Sequence, residues 1–479
     1  MRINITCCFL LLGFVACTSQ KKLTKPTEPI TATSETAPIV TKHESEIEKA
    51  ARRFLLTDSN LATAHLGISI YDPAEKKYLY NYQADKYFIP ASNTKLLTCY
   101  AAMKYLGDSL VGLRYIKSID GKAIIISGNG DPTFLHSDFK NQPVYEFLKS
   151  IENITYLNDY FTKFAPWGNG WAWNDYSDDY MAERSELPIY GNVVKFSFRN
   201  DTISVSPHFF YDRQYSSIAH VNENRAQNIF LIRKKFSLKR DLETNWFYLE
   251  NAARNFSSIE IPFKTINLDD PHLKKPIFLR LLEDTLHKEF GTAVKADEWE
   301  KFPQQLIIHS QPTDSLLKIT MHRSDNFFAE QTLLMVSNER LGLMSDAAII
   351  DTLLKTDYKA MPQKPKWVDG SGLSRYNLIS PQDFVFVLEK MKNEFAWNRI
   401  TTILPTGNSG TLSGLYKNYV GKIYAKTGTV SNNLALSGYI ITNQNKQLIF
   451  SVMVNNHQAS AAAIRRSIEK FITAIIEKN

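Results

Sequence analysis

Residues 89–100, IPASNTKLLTCY, place a serine three positions before a lysine where a run of helix formers begins. At that spacing Ser92 and Lys95 share one face of a helix, so an amine stands within reach of a hydroxyl. A serine hydroxyl is a weak nucleophile and must lose its proton to a base as it attacks a carbonyl. A lysine can be that base only when neutral, which requires its pKa to fall from about 10.4 through desolvation or nearby positive charge. Taken alone the pair is ordinary. S-x-x-K starts at Ser19, Ser92, Ser137, Ser315 and Ser467, and a serine near a helix start most often only caps it.

Two other stretches carry chemistry-bearing residues. MHRSDNFFAEQTLLMV puts Ser324 and Asn326 near the start of a helix, and YAKTGTV puts Lys426, Thr427 and Gly428 at the end of a strand. S-x-N also starts at Ser127 and Ser431, where polar residues satisfying backbone groups explain it. K-T-G occurs once, between apolar β runs. The three together, in this order, are far more specific than any one.

The elements that must position them can be read from periodicity. EIEKAARRFLL predicts a helix, AHLGISIYD and KKYLYNYQ predict two strands, and the Ser92 helix follows. Near the C-terminus GKIYAKTGTV, NLALSGYIIT and KQLIFSVMVNN predict three successive strands, closed by the helix SAAAIRRSIEKFITAIIEK. Residues 113–270 change character to short strand-like runs (KAIIISG, NVVKFSFR, TISVSP, NIFLIRKKFSL, NWFYLENAA) between turns, an inserted, mostly β region in an α/β domain.

At 479 residues with 44% hydrophobic content the chain can bury large cores and hold two or three domains. Its start, Met1 and Arg2 followed by CCFLLLGFVAC, is too short to span a bilayer and reads as a secretory signal over residues 1–16. Residues 18–45 are rich in Thr, Ser, Pro, Lys and Glu and form a tether unable to bury enough apolar surface to fold. As a flexible coil of about 28 residues it would span roughly 30 Å. Of four cysteines only Cys99 lies in the folded body, so no disulfide framework is possible. The formal charge of +7 comes from scattered basic residues, IRKKFSLKRD being read as a solvated face, and no nucleic-acid partner is expected. Ten histidines include no H-x-H or H-E-x-x-H spacing and no G-x-S-x-G is present, so neither a metal, a cofactor nor a Ser-His-Asp hydrolase is expected.

The trio S-x-x-K, S-x-N, K-T-G resembles the active-site signature of penicillin-recognising serine enzymes. The long interval between Ser92 and Ser324 resembles the class C low-molecular-mass penicillin-binding proteins, the D-alanyl-D-alanine carboxypeptidase/endopeptidase family, rather than class A β-lactamases. The stretches SGNGDPTF, GWAWNDYSDDY, DNFFAEQ, VDGSGLSRYNLISP, LPTGNSGTL and LALSGYI are also similar to that group. Asn408-Ser409 and Asn129 depart from its pattern. GFVAC followed by TSQKK resembles a lipobox, with Phe14 where leucine is preferred, which makes Cys17 the expected lipidation site.

The resemblance implies a serine β-lactamase/transpeptidase-like domain, an antiparallel sheet flanked by helices, built from residues 46–112 and 271–479 around the 113–270 insertion. It implies Ser92 as nucleophile, Lys95 as base and Ser324 as proton relay. Asn326 would hold a substrate carbonyl, and Lys426, Thr427 and Thr429 the terminal carboxylate. Backbone N–H groups of Ser92 and Thr429 would form the oxyanion hole, and Gly428 would keep the substrate strand uncrowded. The expected substrates are peptidoglycan stem peptides ending in D-Ala-D-Ala, with β-lactams as covalent inhibitors. The protein is expected to be exported, to face the periplasm and to be anchored to a membrane by lipid. A β-lactamase and a non-catalytic lipoprotein that binds cell-wall peptides are the alternatives; AERSELPIYGN only loosely resembles the β-lactamase element carrying the deacylation base. Trp171 and Trp173 are read as packing residues rather than glycan contacts.

Overall fold

The structure, a computed structural model, describes residues 44–118, 122–158, 164–200, 202–219, 235–252, 256–265, 275–294 and 305–478. The signal segment, Cys17 and nearly all of the tether therefore lie outside the described residues. The chain opens with α1 (Glu46–Ala51), β1 (His65–Asp72), β2 (Lys77–Tyr82) and α2 (Lys95–Tyr105). It continues through β3 (Ser109–Lys117), β4 (Ala123–Gly128), α3 (Pro143–Ser150), β5 (Asn153–Asn158), β6 (Val193–Arg199) and β7 (Thr202–Ser206). Then come β8 (Phe236–Arg240), β9 (Phe247–Asn251), β10 (Ser258–Pro262), α4 (Ile277–Leu286), β11 (Phe290–Val294) and β12 (Leu306–Pro312). The last part holds α5 (Thr313–Ile319), α6 (Asn326–Leu341), α7 (Asp346–Lys355), α8 (Pro381–Glu394), α9 (Trp397–Ile403), β13 (Ile423–Val430), β14 (Asn433–Ile441), β15 (Gln447–Asn455) and α10 (Ala461–Lys478).

Strands from the two ends of the chain build one antiparallel sheet in the order β13-β14-β15-β1-β2. β1 pairs with β15 from His65 opposite Asn455 to Tyr71 opposite Ile449. β14 and β15 are buried along almost their whole length, which is why they read as continuous apolar runs rather than alternating ones. One face packs Ile68, Ile70, Leu436 and Val452 against Ile468, Phe471 and Ile472 of α10. The other packs Ala435, Tyr439 and Met453 toward Leu96, Leu97 and Tyr100 of α2 and Phe384 and Leu388 of α8.

α2 is buried on all sides from Lys95 to Met103, as expected of a helix that is apolar all round. Burying Leu96 and Leu97 contributes about 2 kcal/mol each, so α2 is among the most firmly held parts of the fold. The helices around it start where the sequence caps them. Asp325 accepts the Phe328 N–H at 2.9 Å to begin α6. Ser380 and Asp383 form a reciprocal capping box, with Pro381 at the first position of α8.

Between these parts lies a five-stranded sheet in the order β11-β5-β4-β3-β12, a three-stranded sheet β10-β6-β7 and the hairpin β8-β9. Its own core contains Leu113, Ile126, Phe196, Phe210, Phe247 and Leu282. The five-stranded sheet begins before residue 113 and closes only with β12, beyond residue 270. It includes α3, a helix that short strand-like runs on both sides obscure in the sequence, and NIFLIRKKFSL lies mostly outside the described residues.

Candidate active site

Ser92 lies in a tight 3-10 turn, Ala91–Thr94, and Lys95 opens α2 behind it. Ser92 is thus presented from a turn before the helix rather than from its first α-helical turn. Ala91 has φ of +48°, an uncommon conformation for a side chain-bearing residue, and such strain persists only where surroundings over-determine it. Here Asn93 Nδ2 donates to Ser437 Oγ on β14 at 2.7 Å, and Thr94 Oγ1 donates to the Ala91 carbonyl at 2.9 Å. Gly372, at φ +82°, presses on the turn from the other side; a Cβ there would fall 1.8 Å from the Ala91 carbonyl oxygen.

Lys95 is fully buried. Its ammonium donates to Ser92 Oγ at 2.9 Å, Asn326 Oδ1 at 2.6 Å and the Ser371 carbonyl at 2.8 Å, which uses all three N–H groups. Burial pushes its pKa down to about 8, against the pull of the Asp369, Asp325 and Glu330 carboxylates. Desolvation, one of the two causes expected from the sequence, is what lowers it.

Ser324 ends a π-helical turn, Thr320–Ser324, at φ +64°. That turn aims its Oγ at Lys426 Nζ, 2.8 Å away. Lys426 also donates to the Thr427 carbonyl at 2.6 Å. Burial, followed by the charge of Lys95, holds Lys426 well below the ordinary lysine range. Asn326, the first residue of α6, divides its amide between Lys95 and the Tyr180 carbonyl, 3.0 Å from Nδ2.

β13 is an edge strand of the sheet; on its outer side the Ala425 N–H donates to the Pro405 carbonyl at 3.1 Å and the Thr427 carbonyl accepts from Lys426. A Cβ on Gly428 would meet the Pro90 carbonyl oxygen at 2.6 Å and the Ser92 nitrogen at 3.2 Å, so glycine lets β13 close on the Ser92 turn. Ser92, Ser324, Asn326, Thr427 and Thr429 line one cleft of about 480 Å³. Lys95 and Lys426 do not line it; both are buried and reach it through Ser92 and Ser324.

Several residues at this site were not selected by the motif reading. Asp369 accepts from the N–H groups of Gly372 at 2.9 Å and Ser374 at 2.6 Å, and from Asn377 Nδ2 at 2.7 Å and Trp171 Nε1 at 2.9 Å. The VDGSGLSRYN loop is folded around that carboxylate. Glu330 accepts from the Ser371 N–H, and Tyr180, Arg375 and Arg465 line the cleft. The signal for most of them was present only as the stretches DNFFAEQ, GWAWNDYSDDY and VDGSGLSRYN. Trp171 is held by Asp369, whereas Trp173 is 69% exposed, so the packing reading does not extend to it. In AERSELPIYGN, Glu183 accepts from Thr265 and Glu186 from Tyr156; neither lines the cleft.

An antiparallel sheet flanked by helices, with a serine whose hydroxyl meets a buried lysine at its centre, defines a serine hydrolase of the type that carries lysine beside its serine. The D-Ala-D-Ala carboxypeptidase 3 (S13) family matches residues 50–475. The chain belongs to that family and is a serine-type D-Ala-D-Ala carboxypeptidase. It is 24% identical over 459 residues to the penicillin-sensitive carboxypeptidase A of Dictyostelium discoideum, covering 84% of this chain and 85% of that one. It is 24% identical over 450 residues to the D-alanyl-D-alanine carboxypeptidase of an Actinomadura species, covering 85% and 80%. The crystal structure of penicillin binding protein 4 from Haemophilus influenzae shares the fold, with a TM-score of 0.64 at 18% identity over 90% of this chain and 99% of that one.

Proposed function

We propose that Ser92 is the nucleophile, Lys95 its base and Ser324 the relay to the leaving group. The observation that carries this reading is the 2.9 Å contact between Ser92 Oγ and Lys95 Nζ, with the amine buried and its pKa brought down to about 8. Ser92 Oγ attacks the carbonyl of the penultimate D-alanine and its proton passes to Lys95. The C–N bond then breaks, and the terminal D-alanine leaves as an amine with a proton delivered through Ser324, which the Lys426 ammonium orients. Water adds to the acyl carbon of the resulting ester, and Ser92 recovers its proton. Backbone N–H groups of Ser92 and Thr429 form the oxyanion hole; one such donor is worth about 3 kcal/mol in the barrier. Asn326, Thr427 and Thr429 face the bound peptide from the cleft wall.

The substrates are peptidoglycan stem peptides ending in D-Ala-D-Ala, and D-Ala cross-links extend the activity to endopeptidase cleavage. Benzylpenicillin presents a strained amide to the same serine and forms a covalent penicilloyl ester. The apolar run before Cys17 and the tether after it support export to a periplasm-facing site with a lipid anchor on Cys17, and mass spectrometry of the mature N-terminus tests this. The five-stranded sheet and its neighbours, residues 109–312, support treating the whole of that segment as the insertion.

The catalytic reading is tested by the intact mass of the full chain after incubation with benzylpenicillin, beside Ser92→Ala. The expected result is an adduct of one penicillin on the parent and none on the variant. No adduct with intact penicillin would favour a non-catalytic binder, and no adduct with consumed penicillin a β-lactamase.

A further inference from the structure

We infer that Arg465 is the cation that recognises the free C-terminal carboxylate of the substrate, a role that rests on the carboxypeptidase reading above and names the residue that sets its specificity. The motif lysine is poorly placed for that task. Lys426 is fully buried, and its ammonium is committed to Ser324 Oγ at 2.8 Å and to the Thr427 carbonyl at 2.6 Å. Burial and the nearby Lys95 also weaken its hold on a proton. A carboxylate lying beside Thr427 and Thr429 in the cleft still needs a cation, because two threonine hydroxyls alone do not neutralise it.

Arg465 comes from α10, on the far side of the sheet edge, and meets the same strand. Its Nη2 donates to Thr429 Oγ1 at 2.9 Å, and it lines the cleft with Ser92, Thr427 and Thr429. It is only half-buried. Among the described residues it has no carboxylate partner, whereas its neighbour Arg466 is paired with Glu469. A guanidinium stays charged at every working pH and offers a planar fork of N–H donors that matches a carboxylate. One tooth of that fork already rests on Thr429, so the others are held beside the threonine hydroxyls before substrate arrives. Arg375 also lines the cleft, but its Nη1 lies 3.5 Å from the Ser431 carbonyl, further along the chain past Thr429.

The test compares D-alanine release from acetylated L-Lys-D-Ala-D-Ala with D-alaninamide release from the same peptide amidated at its C-terminus, using the full chain, Arg465→Gln and Arg375→Gln. Arg465→Gln is expected to raise KM for the acid by about tenfold or more, with kcat within about threefold, and to leave kcat/KM for the amide unchanged. The preference for acid over amide then shrinks by the same factor, and the melting temperature stays near the parent's because the side chain is at the surface. A preference unchanged in Arg465→Gln, or lost only in Arg375→Gln, overturns the assignment while leaving the carboxypeptidase reading intact. A parent that turns over neither peptide overturns that reading and this inference with it.

Discussion

Glu330 Oε1 accepts the N–H of Ser371 at 2.8 Å, and Ser371 in turn gives its carbonyl to Lys95 Nζ at 2.8 Å. A fully buried carboxylate therefore holds the residue that holds the base. Burial and the neighbouring Asp369 push Glu330 up to about 7, while Arg184, 3.2 Å from Oε2, pulls it down. Arg184 belongs to the segment between β5 and β6, so that segment reaches Lys95 through the Glu330 side chain and the Ser371 backbone. The same segment supplies the Tyr180 carbonyl to Asn326, and its Ser185 N–H donates to Gln331 Oε1 at 3.1 Å.

Acylation by benzylpenicillin should rise with pH through the Lys95 transition at about 8, since only the neutral amine accepts the Ser92 proton. The Glu330 carboxylate favours the protonated amine, so removing its charge must lower the Lys95 pKa. Glu330→Gln should shift the acidic limb down by about half a unit to one unit. Stopped-flow acylation rates across pH measure this. A limb that stays in place while the rate falls would reduce Glu330 to a structural part.

Arg184→Met should destabilise the protein by about 3–5 kcal/mol, because it leaves Glu330 as an uncompensated buried charge. Adding Glu330→Leu should restore part of that loss, since it removes the unpaired buried carboxylate while Asp346 and the Ser371 N–H still lack their partners. Urea unfolding of the two variants and the parent compares them. A double variant no more stable than Arg184→Met alone would contradict the pairing.

Gly428→Ala forces a methyl group to within 2.6 Å of the Pro90 carbonyl oxygen. β13 must then draw back from the Ser92 turn, at a cost of about 1–3 kcal/mol in stability. Acylation should fall by about a hundredfold, as a displacement of roughly 1 Å at a reacting centre does. An alanine variant that acylates at the parent rate would show that the turn tolerates the shift.

The parts of the site that were legible in the sequence are those set by local spacing. Ser92 and Lys95 lie three residues apart, and Ser324 and Asn326 two, so their side chains share a neighbourhood whatever the rest of the chain does. The three C-terminal strands and α10 were equally plain, because strands buried on both faces and an amphipathic helix have periods that differ. α3 was hidden because its eight residues are too short a run to show a helical period between strand-like segments. The reach of the insertion was hidden for another reason: β12 joins its sheet by pairing with β3, almost two hundred residues earlier, and no local pattern encodes that partnership.

By itself the sequence determined the chemical class, since a nucleophile, two lysines and their hydroxyl and amide partners in that order leave few other uses. It also determined the ends of the fold and the helix that follows Ser92. Only the tertiary structure decided how each group is tuned. Burial lowers the Lys95 pKa against the opposing pull of three carboxylates, Gly428 serves the approach of two backbones, and Arg184 and Arg465 come to the site from distant segments. Desolvation and charge depend on everything packed within a few ångströms, and those neighbours are assembled by the core rather than by spacing along the chain.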